Sequence, residues 1–470
     1  MNIVIATTTI TKINGIFLIN VLVAVTIAAI SPLSFIIVEV QAQKAESEKE
    51  EKEMCISYNK SEKLISITCN HANFADVSRQ ITDPNILKNE SKVITTNNTF
   101  NDTNEKIWLL NAGLKVEKNA ILDINSNDVT WLKIIPTKKS PNAITVDGIL
   151  KVDSVKITSW NPETNDYVKF SKKAKKDPSI YTMIPRPYIK IEETATGPTE
   201  ITDSELAYLG YSCNGCGGIT FNGGENSILK NNDIHHIYKG FYSKGMGYML
   251  IEGNHIYSNE KYGIDPHTGT HDMIIKNNTV YNNGNSGIIC SLDCHNITIE
   301  GNEVYNNGNT GNGRGIAFSI NMYDSIAKNN YVHQQNIGID ISGESHDNKI
   351  YNNKISNSKV GIDTIEKSSN NNIYNNTILN SIDGIVVNTG ASDNKFHFNK
   401  IVNATESGIL NFKGDPGTVD NTFENNKLIN SKVNTTSTTS STAIAVDNDN
   451  DDDDDNDKSE KKKGKKKKTE

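Results

Sequence analysis

Residues 338–385 read GIDISGESHDNKIYNNKISNSKVGIDTIEKSSNNNIYNNTILNSIDGI, and the same phrase is spoken twice within them. Gly338, Gly361 and Gly384 are each followed by isoleucine at intervals of 23 and 23 residues, and Asn353 and Asn376 recur between them at the same period. Extending the pattern outward gives glycine followed by an apolar residue at Gly218, Gly240, Gly263, Gly287, Gly315, Gly338, Gly361, Gly384 and Gly408, with spacings of 22, 23, 24, 28, 23, 23, 23 and 24. A second mark, asparagine followed two residues later by Ile, Val or Leu, runs through Asn232, Asn254, Asn278, Asn302, Asn330, Asn353, Asn376, Asn399 and Asn426. Three residues before each stands an apolar residue, from Leu229 and Ile251 to Phe396 and Phe423.

Each repeat thus carries three short apolar segments separated by Asn and Gly. A unit of ~23 residues is too short for helical repeats, which need about 33 or more. Three β-rich segments bounded by turn formers stack instead as coils. The expected fold is all-β, a right-handed parallel β-helix of ~22–24-residue coils with three short strands per coil. Asparagine suits the corners because it tolerates left-handed backbone and because amides stacked at ~4.8 Å can hydrogen-bond up a ladder. Weaker alternating segments, LKVEKNAILDI and AITVDGILKVDSVKITSW, place the start of the solenoid near Ile107, and the expected extent is 106–432. The long coil between Gly287 and Gly315 carries an insertion, NNGNTGNGR, expected as a loop on one face.

Outside the repeats, residues 1–42 hold one charged residue before position 39, Lys12, then a long apolar run and Val40-Gln41-Ala42, which reads as a secretory leader or a retained anchor. Residues 43–105 read as a charged linker and N-terminal segment. Residues 433–470 end in an acidic run and a lysine run that cannot bury apolar surface, and read as a disordered tail. The protein is therefore expected to be secreted or held at the cell surface, where Cys55, Cys69, Cys213, Cys216, Cys290 and Cys294 would pair locally as three disulfides. Cys213 and Cys216 lack a second ligand pair for zinc, and no metal site is expected. No motif calls for a cofactor, and a calcium requirement would leave no mark in the sequence. A net charge of −8 with three arginines excludes a nucleic-acid-binding face. A monomer is expected.

Strand alternation sorts each Gly-marked segment into columns. Phe241, Ile264, Ile288, Ile316, Ile339, Ile362, Ile385 and Ile409, one past glycine, form an interior stack. Two and four past glycine must then point out: Tyr242, Asp265, Ile289, Ala317, Asp340 and Asp363 in one column, and Lys244, His267, Ser291, Ser319, Ser342 and Ile365 in the other. Asp265 and His267 share an outer face with Tyr242 and Lys244 one rung below. Pro266 between them removes a ladder hydrogen bond.

The segment YGIDPHTGTH (262–271), with the following HDMIIKNNTVYNNGNSGII and the preceding SELAYLGY and GFYSKG, resembles the mannuronan C5-epimerases, secreted right-handed β-helix enzymes with an Asp-Pro-His-Asp signature. The resemblance spans roughly residues 105–430. It implies that His267 removes the C5 proton of a uronate residue in an anionic polysaccharide, with Asp265 holding the base or contacting sugar. Thr268 stands where the family has its second aspartate, and Leu292 where an arginine would neutralise the substrate carboxylate. Lys244 on the rung below or Arg314 beside the insertion would supply that charge. Tyr242, His271, Ser291 and Asp340 are the remaining expected substrate contacts. Epimerisation and lysis share the first proton transfer, and a non-catalytic glycan-binding scaffold is the alternative outside enzymology. A glycosidase pair of carboxylates flanking the bond is excluded between Asp265 and Asp340 or Asp363, which lie three and four rungs away, roughly 14 Å and more.

Overall fold

The computed structural model describes residues 9–13, 16–20, 55–94, 103–137, 141–169, 185–308, 313–412 and 417–435. Two compact units divide the chain at Glu53. In the first, Thr9–Ile13 and Ile16–Asn20 pair as an antiparallel hairpin; the rest of the leader reading, like the linker at 43–54 and most of the tail, lies outside the described residues. Among the described residues no helix is long and apolar enough to cross a membrane.

The second unit is a parallel β-solenoid. One sheet has 15 strands, the others 14 and 13. The first sheet carries the Gly-marked strands, among them Lys239–Lys244, Ile264–His267, Ile288–Ser291, Arg314–Ser319, Ile337–Ile341 and Val360–Thr364, hydrogen-bonded in that order. The second carries strands such as Ile274–Lys276, and the third strands such as Thr279–Tyr281. Consecutive coils keep strict register: Phe241 lies beside Ile264 and Ile264 beside Ile288, and the interior stack read from the sequence is fully buried from Phe241 to Ile385.

The corners explain the asparagines. In each Asn-marked turn one residue takes a left-handed conformation, such as Asn277 at φ 54° or Asn329 at φ 56°, and the following asparagine turns inward. Asn254 Nδ2 donates to Asn278 Oδ1 at 2.9 Å, Asn278 Nδ2 to Asn302 Oδ1 at 3.0 Å, and the ladder continues through Asn330, Asn353, Asn376 and Asn399. Each amide also donates to a backbone carbonyl, as Asn278 does to Ile251 at 3.0 Å, so the amides of this ladder are buried without being orphaned. The marker glycines from Gly240 to Gly408 answer to crowding rather than to dihedral freedom: a Cβ on Gly263 would stand 2.5 Å from Val280 Cγ1 and 2.6 Å from the Gly287 carbonyl oxygen.

The solenoid begins earlier than Ile107. Leu64–Ile67 pairs in parallel with Gly113–Val116, Ala72–Asn73 with Leu122–Asp123, and the helix Phe74–Gln80 buries Phe74 and Val77 over the end of the core. Asn73 and Asp76 form a capping box at its start. The cap escaped detection because it lacks the 23-residue period. Its short helix and the antiparallel strand Ile56–Asn59 close the stack where a further coil would leave open backbone. The three-disulfide expectation is also corrected. Cys55–Cys69 and Cys213–Cys216 are bonded, but Cys290 and Cys294 are free thiols, both buried, with Cys294 Sγ donating to the Ser291 carbonyl at 3.0 Å. Burial raises the Cys290 thiol well above its ordinary range and the Cys294 thiol to about 12.

Candidate functional site

Pro266 does not end its strand: Ile264–His267 pairs with the preceding coil at all four positions, Tyr242 beside Asp265 and Lys244 beside His267. Toward the next coil only Ile264–Ile288 and His267–Ser291 are paired, so the missing proline N–H loosens the ladder on one side alone. Below the strand Ser243 Oγ meets Thr270 Oγ1 at 3.0 Å, and Thr270 Oγ1 donates to the His267 carbonyl at 2.7 Å. The turn after His267 is thereby tied to the rung beneath it.

The outward column is not an exposed one. Asp265 is 1% exposed and His267 7%, with neighbouring side chains packed against them. Chief among these is Lys239, which sits one residue before Gly240. It begins a strand whose register to Gly218–Phe221 shifts by a bulge, and bulges re-aim side chains. Lys239 Nζ stands 3.5 Å from Asp265 Oδ2, 4.2 Å above the Tyr242 ring and 5.8 Å from the Tyr262 ring. The Tyr242 ring in turn lies 5.5 Å from the His267 ring at 37°. Two aromatic faces and one carboxylate thus hold a largely buried ammonium against the strand that carries His267.

Thr268 touches His267. Its Oγ1 is 2.6 Å from His267 Nδ1, and its backbone sits at φ 41°. In the tautomer that donates Nδ1–H to that hydroxyl, the lone pair lies on Nε2.

The sequence-expected residues therefore divide. Asp265, His267, Tyr242 and Ser291 come together on adjoining rungs, and Lys244 joins them by register. Arg314 does not: its Nε pairs with Asp340 Oδ2 at 2.9 Å, and Ser342 Oγ donates to the same oxygen at 2.9 Å. Arg314 and Asp340 form a separate cluster further along the face with Asp363, which lies beside Asp340 on the next rung. Burial and the neighbouring Asp340 carboxylate push Asp363 well above the usual carboxylate range, and burial raises Asp340 against the pull of Arg314. His271 lies beyond the turn in a stacked external column, 5.2 Å from the His295 ring and hydrogen-bonded to Asp272 Oδ2 at 2.7 Å. Lys239 stands one residue before Gly240 and so lies outside the columns that follow each glycine, which is why strand alternation alone does not bring it to this site. Among the described residues no set of three or more His, Cys, Asp and Glu side chains is placed to hold a metal ion.

A family model for the right-handed β-helix region matches residues 189–321 and 312–451, together more than half of the chain. The chain belongs to the right-handed β-helix family. Among solved β-helix structures it is similar to the periplasmic alginate epimerase AlgG, at TM-score 0.61 and 19% identity over 80% of this chain and 85% of that one. It is also similar to the A-module of the Azotobacter vinelandii mannuronan C-5 epimerase AlgE6, at TM-score 0.48 and 17% identity over 71% and 90%. No curated protein sequence matches it.

Proposed function

We propose that this β-helix protein is an exported polysaccharide-modifying enzyme that epimerises uronate residues at C5, with His267 as the base. The observation that carries the reading is the grouping of an imidazole, a buried ammonium and a phenol on adjoining rungs of one outer face. The overall likeness to AlgG is a likeness of fold and is consistent with an acidic polysaccharide as substrate and an extracytoplasmic location.

The chemistry needs those groups. Removing the C5 proton of a uronate places electron density on the adjacent carboxylate, which already carries a charge, so a positioned cation must meet it. Lys239, held by Asp265 and shielded by Tyr242 and Tyr262, supplies that cation. Asp265 is accordingly a positioning residue. His267 Nε2 takes the C5 proton, and the electron pair moves into the carboxylate. Return of a proton to C5 from the opposite face, from Tyr242 or water, completes the inversion. Thr268 Oγ1 at Nδ1 orients the imidazole and leaves Nε2 to take the proton. Expulsion of the C4 oxygen from the same intermediate would make the protein a lyase.

The test is incubation with polymannuronate in D2O, followed by 1H NMR of C5 exchange and of unsaturated products. Exchange without unsaturation supports the epimerase, and unsaturated ends would make the protein a lyase. Absence of exchange on every uronate polymer tried would leave a glycan-binding solenoid.

A further inference from the structure

The two ends of the solenoid differ. At the first coil the helix Phe74–Gln80 and the antiparallel strand Ile56–Asn59 close the core. At the last, Thr422–Glu424, Lys427–Ile429 and Val433–Thr435 are the outermost described strands of the three sheets. Their interior positions, Phe423, Leu428 and Val433, continue the columns of Phe396, Ile401 and Ile409. Phe396 and Ile401 are fully buried, but Phe423 and Leu428 are only partly so and Val433 is 60% exposed. The backbone is open as well. In three successive coils the residue after the second-sheet strand donates its N–H to the coil that follows: Asn352 to the Tyr374 carbonyl at 3.4 Å, Asn375 to His397 at 3.3 Å and Phe398 to Glu424 at 3.1 Å. Asn425 is next in that column, and among the described residues its N–H has no acceptor. An uncovered edge of this kind is a template for another strand, and solenoids need closed ends.

The chain carries a segment at the matching distance. From the interior position of the first sheet to that of the second there are 11 residues in six consecutive coils, beginning with Ile264 to Ile275 and ending with Ile385 to Phe396. Eleven residues past Val433 stands Ile444, in Ala443-Ile444-Ala445, after a run of asparagine, serine and threonine that holds no other apolar residue. The β-helix family match likewise runs on to residue 451. The sequence also stops the pattern there. Val446 falls at the corner position that takes left-handed backbone at Asn352, Asn375 and Phe398, a conformation that β-branched residues resist. The third-sheet interior position comes five residues after the second-sheet one, as Leu428 follows Phe423, and five past Ile444 is Asp449 in the acidic run. One more strand can be added, and no further coil.

We propose that the open edge of the second sheet is a docking surface for residues 443–445 of the same chain, which add a parallel strand to Thr422–Glu424, with Ile444 over Phe423 and the Ala445 carbonyl accepting the Asn425 N–H. The inference is independent of the proposed function. The test is hydrogen exchange of the full chain at several protein concentrations, read by mass spectrometry on residues 422–429, with residues 395–402 of the preceding coil as reference. Exchange at Asn425 should be as slow as at Phe398 and independent of concentration. Ile444→Asp should speed exchange across 422–429 by roughly tenfold to a hundredfold, the worth of one buried aliphatic side chain, and leave the reference segment slow. Ile444→Val should keep most of the protection. Fast exchange at Asn425 in the natural chain, or equal protection in Ile444→Asp, overturns the proposal. Protection that rises with protein concentration and survives in Ile444→Asp would assign the edge to a second copy of the chain and overturn it equally.

Discussion

Lys239→Met separates the ammonium that reaches Asp265 from Lys244, the one expected from the sequence. Asp265 is 1% exposed and the Lys239 side chain 11%, with 3.5 Å between Nζ and Oδ2, so the substitution takes a cation from beside a buried carboxylate. Removing one partner of a buried pair typically costs about 3–5 kcal/mol, a large part of the roughly 5–15 kcal/mol that holds a domain folded. Urea denaturation followed by tryptophan fluorescence should show a loss in that range. The double variant Lys239→Met/Asp265→Asn should recover most of it, because the buried negative charge that Lys239 faced is then gone. For catalysis the two differ: loss of a charge-stabilising donor costs about 3–4 kcal/mol, or roughly 10²–10³ in rate, and the double variant should not restore it. C5 exchange on polymannuronate, normalised to folded protein, reads this directly. Full activity in Lys239→Met together with loss of activity in Lys244→Met would refute the assignment. Unchanged stability in Lys239→Met would refute the ion-pair argument behind it.

Three further outcomes are expected. Thr268→Val, which removes the hydroxyl at His267 Nδ1, should lower kcat with little change in KM, and Thr268→Asp should move the acidic limb of the pH–rate profile upward, since a carboxylate favours the imidazolium. Asp363 binds its proton more tightly folded than unfolded, so its contribution to stability is fully present below the unfolded carboxyl range near pH ~4 and falls as pH rises above it, by up to about 1.4 kcal/mol per pH unit. Asp363→Asn should flatten that decline in denaturation curves taken from pH 4 to 8, and a parallel slope would show that Asp363 is not responsible. Asn278→Ala deletes the acceptor of the Asn254 amide and the donor to Ile251 and Asn302, so it should destabilise by about 2–4 kcal/mol, more than an exposed corner substitution such as Asn277→Ala.

The sequence made the repeat, the parallel coils and the interior column legible because these depend only on period: an isoleucine every 23 residues must stack if the coils do. It also placed Asp265, His267, Tyr242 and Lys244 on one face for the same reason. It did not show the cap over the first coil, whose residues break the period, nor that Cys290 and Cys294 stay reduced inside the core. Thr268 stood out only as a departure from a motif, and its contact with His267 Nδ1 depended on a left-handed turn that no spacing announces.

Register along a solenoid is a local property, repeated coil by coil, so the chain alone determines which residues share a column. Which of them meet is settled by side-chain length and by crowding between columns of neighbouring rungs. Lys239 crosses to Asp265 over two tyrosine rings, Arg314 is captured by Asp340 instead of reaching the histidine, and residues that point outward are nonetheless buried. Those outcomes depend on the volumes and charges of residues more than twenty positions apart in the chain, and only the folded stack brings them within reach.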